Sequence, residues 1–159
     1  MIYFTLAECT YSATALLRRI DNTPNADETA RIVESVDNLL DPLRAAWEAH
    51  CRSRGLGSGA LRITSGFRSA RLNAAVGGSP TSAHCCGYAF DLVPVNGRKA
   101  AFKAFCRGFL ADRPFDQLIA EREDAAGVPA WIHLGYKSPR GGQRRQLLSM
   151  REGRYVPMR

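Results

Sequence analysis

With 159 residues, 45% of them hydrophobic, the chain is long enough to bury one core without cross-links and too short for two domains of ordinary size. No apolar run approaches the roughly 20 residues of a membrane helix, and the opening Met1 to Cys9 lacks the basic head and long apolar stretch of a secretory signal, so synthesis is expected to end in the cytoplasm without membrane insertion. A net charge of +7 favours anionic partners, but no basic stripe interleaved with aromatics and no finger or helix-turn-helix pattern accompanies it, which excludes nucleic acid as an expected partner.

Thr5 followed by Glu8 is a capping-box pair. It predicts a short helix that ends before Asp21 and buries Leu6, Ala13, Leu16 and Leu17. Asn22 to Asn25 reads as a turn. From Asp27 the residues Ile32, Val33, Val36, Leu39, Leu40, Leu43 and Trp47 recur at steps of three and four, the mark of a long amphipathic helix. Pro42 is expected to kink that helix, or to restart it with Asp41 as cap. His50, among Cys51, Arg52 and Arg54, reads as exposed. A glycine and serine loop, Gly55 to Gly59, leads to a β-branched run at Leu61 to Ser65, read as a strand, with Arg68 just past its end. Ala70 to Val76 spans one or two helical turns, and a loop from Gly77 to Thr81 follows.

The stretch Ser82 to Asp91, S-A-H-C-C-G-Y-A-F-D, carries the strongest chemical signal. On a strand Tyr88, Phe90 and Leu92 face one way and Gly87, Ala89 and Asp91 the other. Asp91 thereby lies on a face cleared of bulk, within reach of His84 from the preceding turn. Of the two other histidines, His133 in P-A-W-I-H-L-G-Y sits in a second short apolar run and is the third candidate ligand. Two imidazoles and one carboxylate suit one Zn2+ ion, with a fourth position left for water. Cys85 and Cys86 adjoin His84, but neighbours on an extended chain point opposite ways. Five cysteines with no C-x-x-C pair read as reduced thiols.

Beyond Asp91, Asn96 and Gly97 form a turn, and Phe102, Phe105, Phe109 and Leu110 mark a helix over Lys99 to Leu110. Phe115 to Arg122 and Trp131 to Tyr136 are strand candidates that pair most simply as an antiparallel hairpin. If Ile119 or Glu121 lies opposite His133, then Gln117, Ile119 and Glu121 share a face with Trp131 and His133. Glu123 and Asp124 read as solvated loop charges. Arg140, Arg144, Arg145, Arg151, Arg154 and Arg159 cluster in a basic C-terminal extension, residues 138–159, read as a solvated tail on a single domain spanning 1–159. The elements together predict an α+β fold, N-terminal helices on a small mainly antiparallel sheet.

The motif S-x-H-x-x-G-x-A-x-D, with W-x-H some forty residues on, resembles the zinc D-alanyl-D-alanine peptidases of peptidase family M15, in particular the short branch common in phage lysins. I-T-S-G-F-R-S at Ile63 to Ser69, L-N-A-A-V-G-G-S at Leu72 to Ser79 and F-D-Q-L-I-A-E at Phe115 to Glu121 extend the likeness, as do F-T-L-A-E and I-D-N-T-P near the start. The resemblance implies a Hedgehog/DD-peptidase-like fold, a monomer holding one Zn2+ on His84, Asp91 and His133, and substrate contacts from Arg68 and Ser82. It also implies peptidoglycan stem peptides as substrate, cut by a D,D-carboxypeptidase or an L-alanyl-D-glutamate type endopeptidase. Such an enzyme without a signal reaches the wall after release, as phage lysins do, or on a virion. Much of the family has its general base three residues before the last histidine ligand, where this chain has Ala130. Glu121 is the expected replacement, with Asp116 as runner-up and Gln117 as a group that orients water or substrate. The missing glutamate leaves open a second reading, a catalytically inactive wall-binding or phage structural module.

Overall fold

The computed structural model describes residues 1–158; Arg159, counted above in the basic cluster, lies outside them. Among the described residues, six strands form one sheet in the order β1-β2-β4-β3-β5-β6. They are β1 Leu61–Ser65, β2 Ala89–Pro94, β3 Gln117–Glu121, β4 Trp131–Gly135, β5 Gln146–Arg151 and β6 Arg154–Pro157. Neighbours run antiparallel except β3 and β5, which are parallel. Helices α1 Leu6–Thr10, α2 Ala13–Arg18, α3 Ala26–Ser35, α4 Asp41–Arg54, α5 Ala70–Ala75 and α6 Lys99–Phe109 complete an α+β fold.

The period-two alternation of the strands divides the sheet chemically. Phe90 and Leu92 of β2, Leu118 and Ala120 of β3, and Ile132 and Leu134 of β4 join Trp47 of α4 and Phe102 of α6 in the main core. Residues one step out of phase, Asp91, Gln117, Ile119, Glu121, Trp131 and His133, line a cleft instead. Helices therefore cover one face of the sheet and leave the other for chemistry.

The N-terminal helices depart from the sequence reading. The capping box at Thr5 is present, but extended backbone at Tyr11 splits the segment, and Ser12 caps α2 separately. Leu16 and Leu17 are 69% and 85% exposed, Leu6 and Ala13 are also exposed, and α2 docks through the small Ala15 beside Ile20 and Leu72. A six-residue helix presents too narrow a face to bury a leucine pair as well.

Pro42 is absorbed without a restart. Val36–Leu40 forms a π turn in which the Asp41 N–H donates to the Val36 carbonyl. Pro42 then falls in the first turn of α4, where its missing N–H costs nothing. Asp41 is helical rather than a cap: its buried carboxylate accepts from the backbone N–H groups of Ile2 and, at 3.0 Å, of Tyr3. His50 is half-buried, not exposed, stacked on Trp47 and tilted against Phe105 with ring centroids 5.5 and 4.9 Å apart.

The basic C-terminal segment is no solvated tail. β5 and β6 extend the sheet, and Arg144 grips the fully buried Asp116 through Nε at 2.7 Å and a terminal nitrogen at 2.6 Å. Arg151 holds Glu123 through a single terminal nitrogen at 2.7 Å, alongside Lys103 at 2.7 Å on the same oxygen. Glu123 is thus a buried ion-pair centre rather than a loop charge. Burial opposes its ionisation, yet the lysine and arginine hold its carboxyl down at about 2. A carboxylate with a depressed pKa in the fold stabilises it above its ordinary value near 4.5, and that contribution fades as pH falls toward 2. Glu123→Gln is expected to cost about 2 kcal/mol at pH 7, below the usual buried-pair loss because Arg151 reaches solvent. In urea titrations at pH 7, 4 and 3 the variant should also lose less stability on acidification than the wild type.

Candidate active site

The cross-strand register assembles the cleft's centre. Asp91 of β2 lies opposite His133 of β4, and His133 lies opposite Ile119 of β3, so the three occupy one row across the sheet. β1 shifts register between Ile63 and Ser65, and Ser65 pairs with Asp91. That irregularity ends the strand beside the carboxylate and turns the chain toward Arg68.

His84 arrives from a 3-10 turn, Ala83–Cys86, between β1 and β2. Ser82 caps the turn by accepting from the His84 N–H, and Gly87 closes it in the left-handed region at φ 78°. A Cβ at Gly87 would also stand 2.8 Å from the Ile32 side chain and 2.9 Å from the Glu28 carbonyl oxygen, so α3 is in place only beneath a glycine.

The His84 ring is fixed by the Gly66 carbonyl, 2.7 Å from Nδ1. A carbonyl only accepts, so Nδ1 carries the proton and Nε2 turns a bare lone pair into the cleft. Gly66 itself is pinned, since an added Cβ would lie 2.1 Å from the Cys9 carbonyl oxygen, which already accepts from the Phe67 N–H at 2.7 Å. Asn22 staples the same segment, donating to the Thr10 and Phe67 carbonyls and accepting from the Ser69 N–H. Gly66→Ala is expected to cost about 3 kcal/mol in urea unfolding, because backbone rather than a flexible side chain opposes the methyl group. It should also weaken metal binding by roughly 10–100-fold through the displaced His84 support.

Three acceptor atoms converge here. His84 Nε2 lies 3.2 Å from His133 Nδ1 and 3.4 Å from Asp91 Oδ1, and His133 Nδ1 lies 3.0 Å from that same oxygen. A single proton on His133 relieves only part of this crowding of lone pairs, whereas one cation relieves all of it. Donors bound tetrahedrally at about 2.0–2.1 Å from one ion are separated by about 3.3 Å, which the three distances bracket. The residues therefore fit a shared divalent ion. His84 and Asp91 are buried and His133 is half-buried. Burial pushes the His84 imidazole below its ordinary value, which keeps the lone pair available. Burial alone would raise Asp91, but the two imidazoles hold its carboxyl well below the carboxylate range.

The other expected residues take distinct places. Arg68 donates to Asp91 Oδ2 at 3.1 Å and to Ser65 Oγ at 2.9 Å, beside Asn73 Oδ1 at 3.5 Å. Ser82 and Gln117 line the cleft, Gln117 donating its amide to Gln146 at 2.8 Å. Glu121 lines it too, buried, paired in register with Trp131, and salt-bridged to neither Arg122 nor Arg68 among the described residues. Burial pushes its carboxyl above the ordinary value. Asp116 is bound to Arg144 and does not line the cleft. Cys85 and Cys86 are half-buried free thiols outside the donor cluster.

Sequence reasoning missed Tyr155 of β6, whose hydroxyl donates to Glu121 Oε1 at 3.4 Å, and Leu148 and Met150 of β5, which also line the cleft. The apolar run Leu147, Leu148 and Met150 was the available signal. A cleft of about 840 Å³ results, floored by strands from β1 to β6.

A His-Asp-His donor set on the floor of a cleft that Glu121 also lines, a carboxylate with no salt bridge among the described residues, defines a metallohydrolase site. A family model described as Peptidase M15 matches residues 2–135, and the chain belongs to that family as a metallopeptidase. No curated protein matches it. The match takes in His84, Asp91, His133 and Glu121 and stops short of β5 and β6. No helix among the described residues is long and apolar enough to cross a membrane.

Proposed function

We propose that this protein is a zinc-dependent peptidase that cuts the stem peptides of peptidoglycan, with the cut bond internal to the peptide as in an L-alanyl-D-glutamate type endopeptidase. The observation that carries this is the convergence of His84 Nε2, His133 Nδ1 and Asp91 Oδ1 in a cleft also lined by Glu121, which has no salt bridge among the described residues. Two nitrogen donors and one oxygen donor favour zinc over the harder magnesium and calcium. Once held by these residues, the ion supplies Lewis acidity to a carbonyl and an acidified water.

Glu121 takes a proton from the attacking water onto a carboxylate oxygen and returns it to the leaving amine. Burial raises its pKa, which makes the carboxylate a stronger base for that exchange. Arg68 is anchored by Asp91 and Ser65 and keeps N–H groups to spare for a substrate carbonyl oxygen. The Ser82 hydroxyl and the Gln117 side-chain carbonyl remain available to orient peptide or water.

Support for an internal bond is the reach of the cleft, which runs from Tyr11 and the Gly77 to Thr81 loop on one side of the metal row to Leu148, Met150 and Tyr155 on the other. A D,D-carboxypeptidase needs room for only one residue beyond the bond. The protein acts as a monomer on wall exposed after release from the cell, or from a virion. Purified protein loaded with one equivalent of zinc should clear a suspension of purified cell walls, and mass spectrometry of the products should find cleavage between internal stem residues. Release of terminal D-alanine alone would establish the carboxypeptidase. Intact walls despite bound zinc would establish the inactive module.

A further inference from the structure

Three arginines line the cleft: Arg68, Arg122 and Arg144. Arg68 has its charge countered by Asp91, and Arg144 is bound to Asp116. Among the described residues Arg122 alone of the three has no salt bridge and no hydrogen-bond acceptor. Its position is also unexpected. It follows Glu121 directly, and strand alternation would turn one of the two away from the cleft, yet both line it.

The backbone explains this. β3 ends at Glu121, and Arg122 adopts the left-handed conformation at φ 47°, which a residue with a Cβ rarely takes. The reversal swings its side chain back across the sheet, where the guanidinium lies over the Trp131 ring at 5.3 Å from the centroid. Trp131 in turn pairs with Glu121 across the strands. An uncommon backbone conformation thus holds a guanidinium over an aromatic ring, near the carboxylate read above as the base but in no salt bridge with it among the described residues.

We propose that Arg122, seated on Trp131, binds a carboxylate of the peptide substrate on the Glu121 side of the cut bond. The inference rests on the peptidase reading above and adds a substrate requirement to it. A planar guanidinium with no acceptor of its own has N–H groups free to grip a carboxylate through two parallel hydrogen bonds. Arg68, neutralised by Asp91, suits an uncharged carbonyl oxygen instead. Two sources of carboxylate exist in stem peptides, the chain terminus and the α-carboxylate of a γ-linked glutamate.

The test measures binding of L-Ala-γ-D-Glu-L-Lys-D-Ala-D-Ala to zinc-loaded Glu121→Gln protein, with and without Arg122→Gln, by calorimetry. The peptide is used in three forms: unmodified, amidated at the terminus, and amidated at the glutamate α-carboxylate. One amidation should weaken binding about 10- to 30-fold, Arg122→Gln should do the same, and the two together should do no more than either alone. The form that shows this identifies which carboxylate is held. Arg122→Lys, which keeps the charge and loses the fork, should recover only part of the loss. Arg122 is exposed, so the thermal midpoint of these variants should match that of the parent. Binding that persists and is indifferent to Arg122→Gln, or losses that simply multiply, overturns the carboxylate site and leaves the peptidase reading standing. If no form binds while zinc is retained, the peptidase reading fails and the carboxylate site fails with it.

Discussion

His133→Ala is expected to abolish both metal binding and peptide hydrolysis while leaving the fold nearly intact. The side chain is half-buried on the cleft face, outside the cluster of apolar residues that holds the helices to the sheet, so its loss opens no void in the core. His133 Nδ1 is nevertheless the atom that closes the donor triangle, 3.0 Å from Asp91 and 3.2 Å from His84. Losing one of three protein donors should reduce affinity by more than the roughly 10–100-fold that loss of a supporting hydrogen bond costs. Equilibrium dialysis against zinc should show one ion per chain in the wild type and none in the variant at the same free zinc. His50→Ala is the control, because that ring packs against Trp47 and Phe105 away from the donor cluster. It should keep the metal and the activity.

Glu121→Gln separates the proposed proton-transfer role from metal binding. It keeps the shape of the side chain and its contact with the Tyr155 hydroxyl, and removes the ability to accept a proton at neutral pH. Hydrolysis should fall by about 10²–10⁴-fold with metal content and unfolding midpoint near wild type. Asp116→Asn should do the reverse. Asp116 is fully buried and gripped by Arg144 from two nitrogens, so that substitution should lower stability and spare the metal. Tyr155→Phe, which frees Glu121 from its one side-chain hydrogen bond among the described residues, should cut kcat by a few-fold at most and leave KM unchanged. If Asp116→Asn lost turnover at unchanged stability and Glu121→Gln did not, the base would have to be reassigned.

The donor set was legible in the sequence because strand geometry leaves little choice. Asp91 and His133, with Glu121, sit on short runs whose neighbours alternate in bulk, and period-two alternation fixes their common face once Ile119 stands opposite His133, whereas His84 comes from a 3-10 turn and was legible only by its nearness to Asp91 in the chain. Gly66 and Gly87 resist such reading. Each is forced by a contact with a distant segment, Cys9 in one case and Ile32 in the other, which no local pattern announces.

The same limit explains the C-terminal segment. Its arginines look solvated one by one, and only the fold brings Arg144 to Asp116 and Arg151 to Glu123, turning apparent surface charge into partners for buried carboxylates. Leu16 and Leu17 fail in the opposite sense: their helical spacing is regular, but α2 is too short to turn them toward the core. Asp41 and Pro42 show a third case, since a π turn satisfies the proline without the cap that local rules call for.

Crystals grown with zinc and measured on both sides of its absorption edge test the central claim most directly. The account predicts one strong anomalous peak, about 2.0–2.2 Å from each of His84 Nε2, His133 Nδ1 and Asp91 Oδ1. A peak on the Cys85 or Cys86 sulfur, or one that touches only one of the three donors, would contradict it.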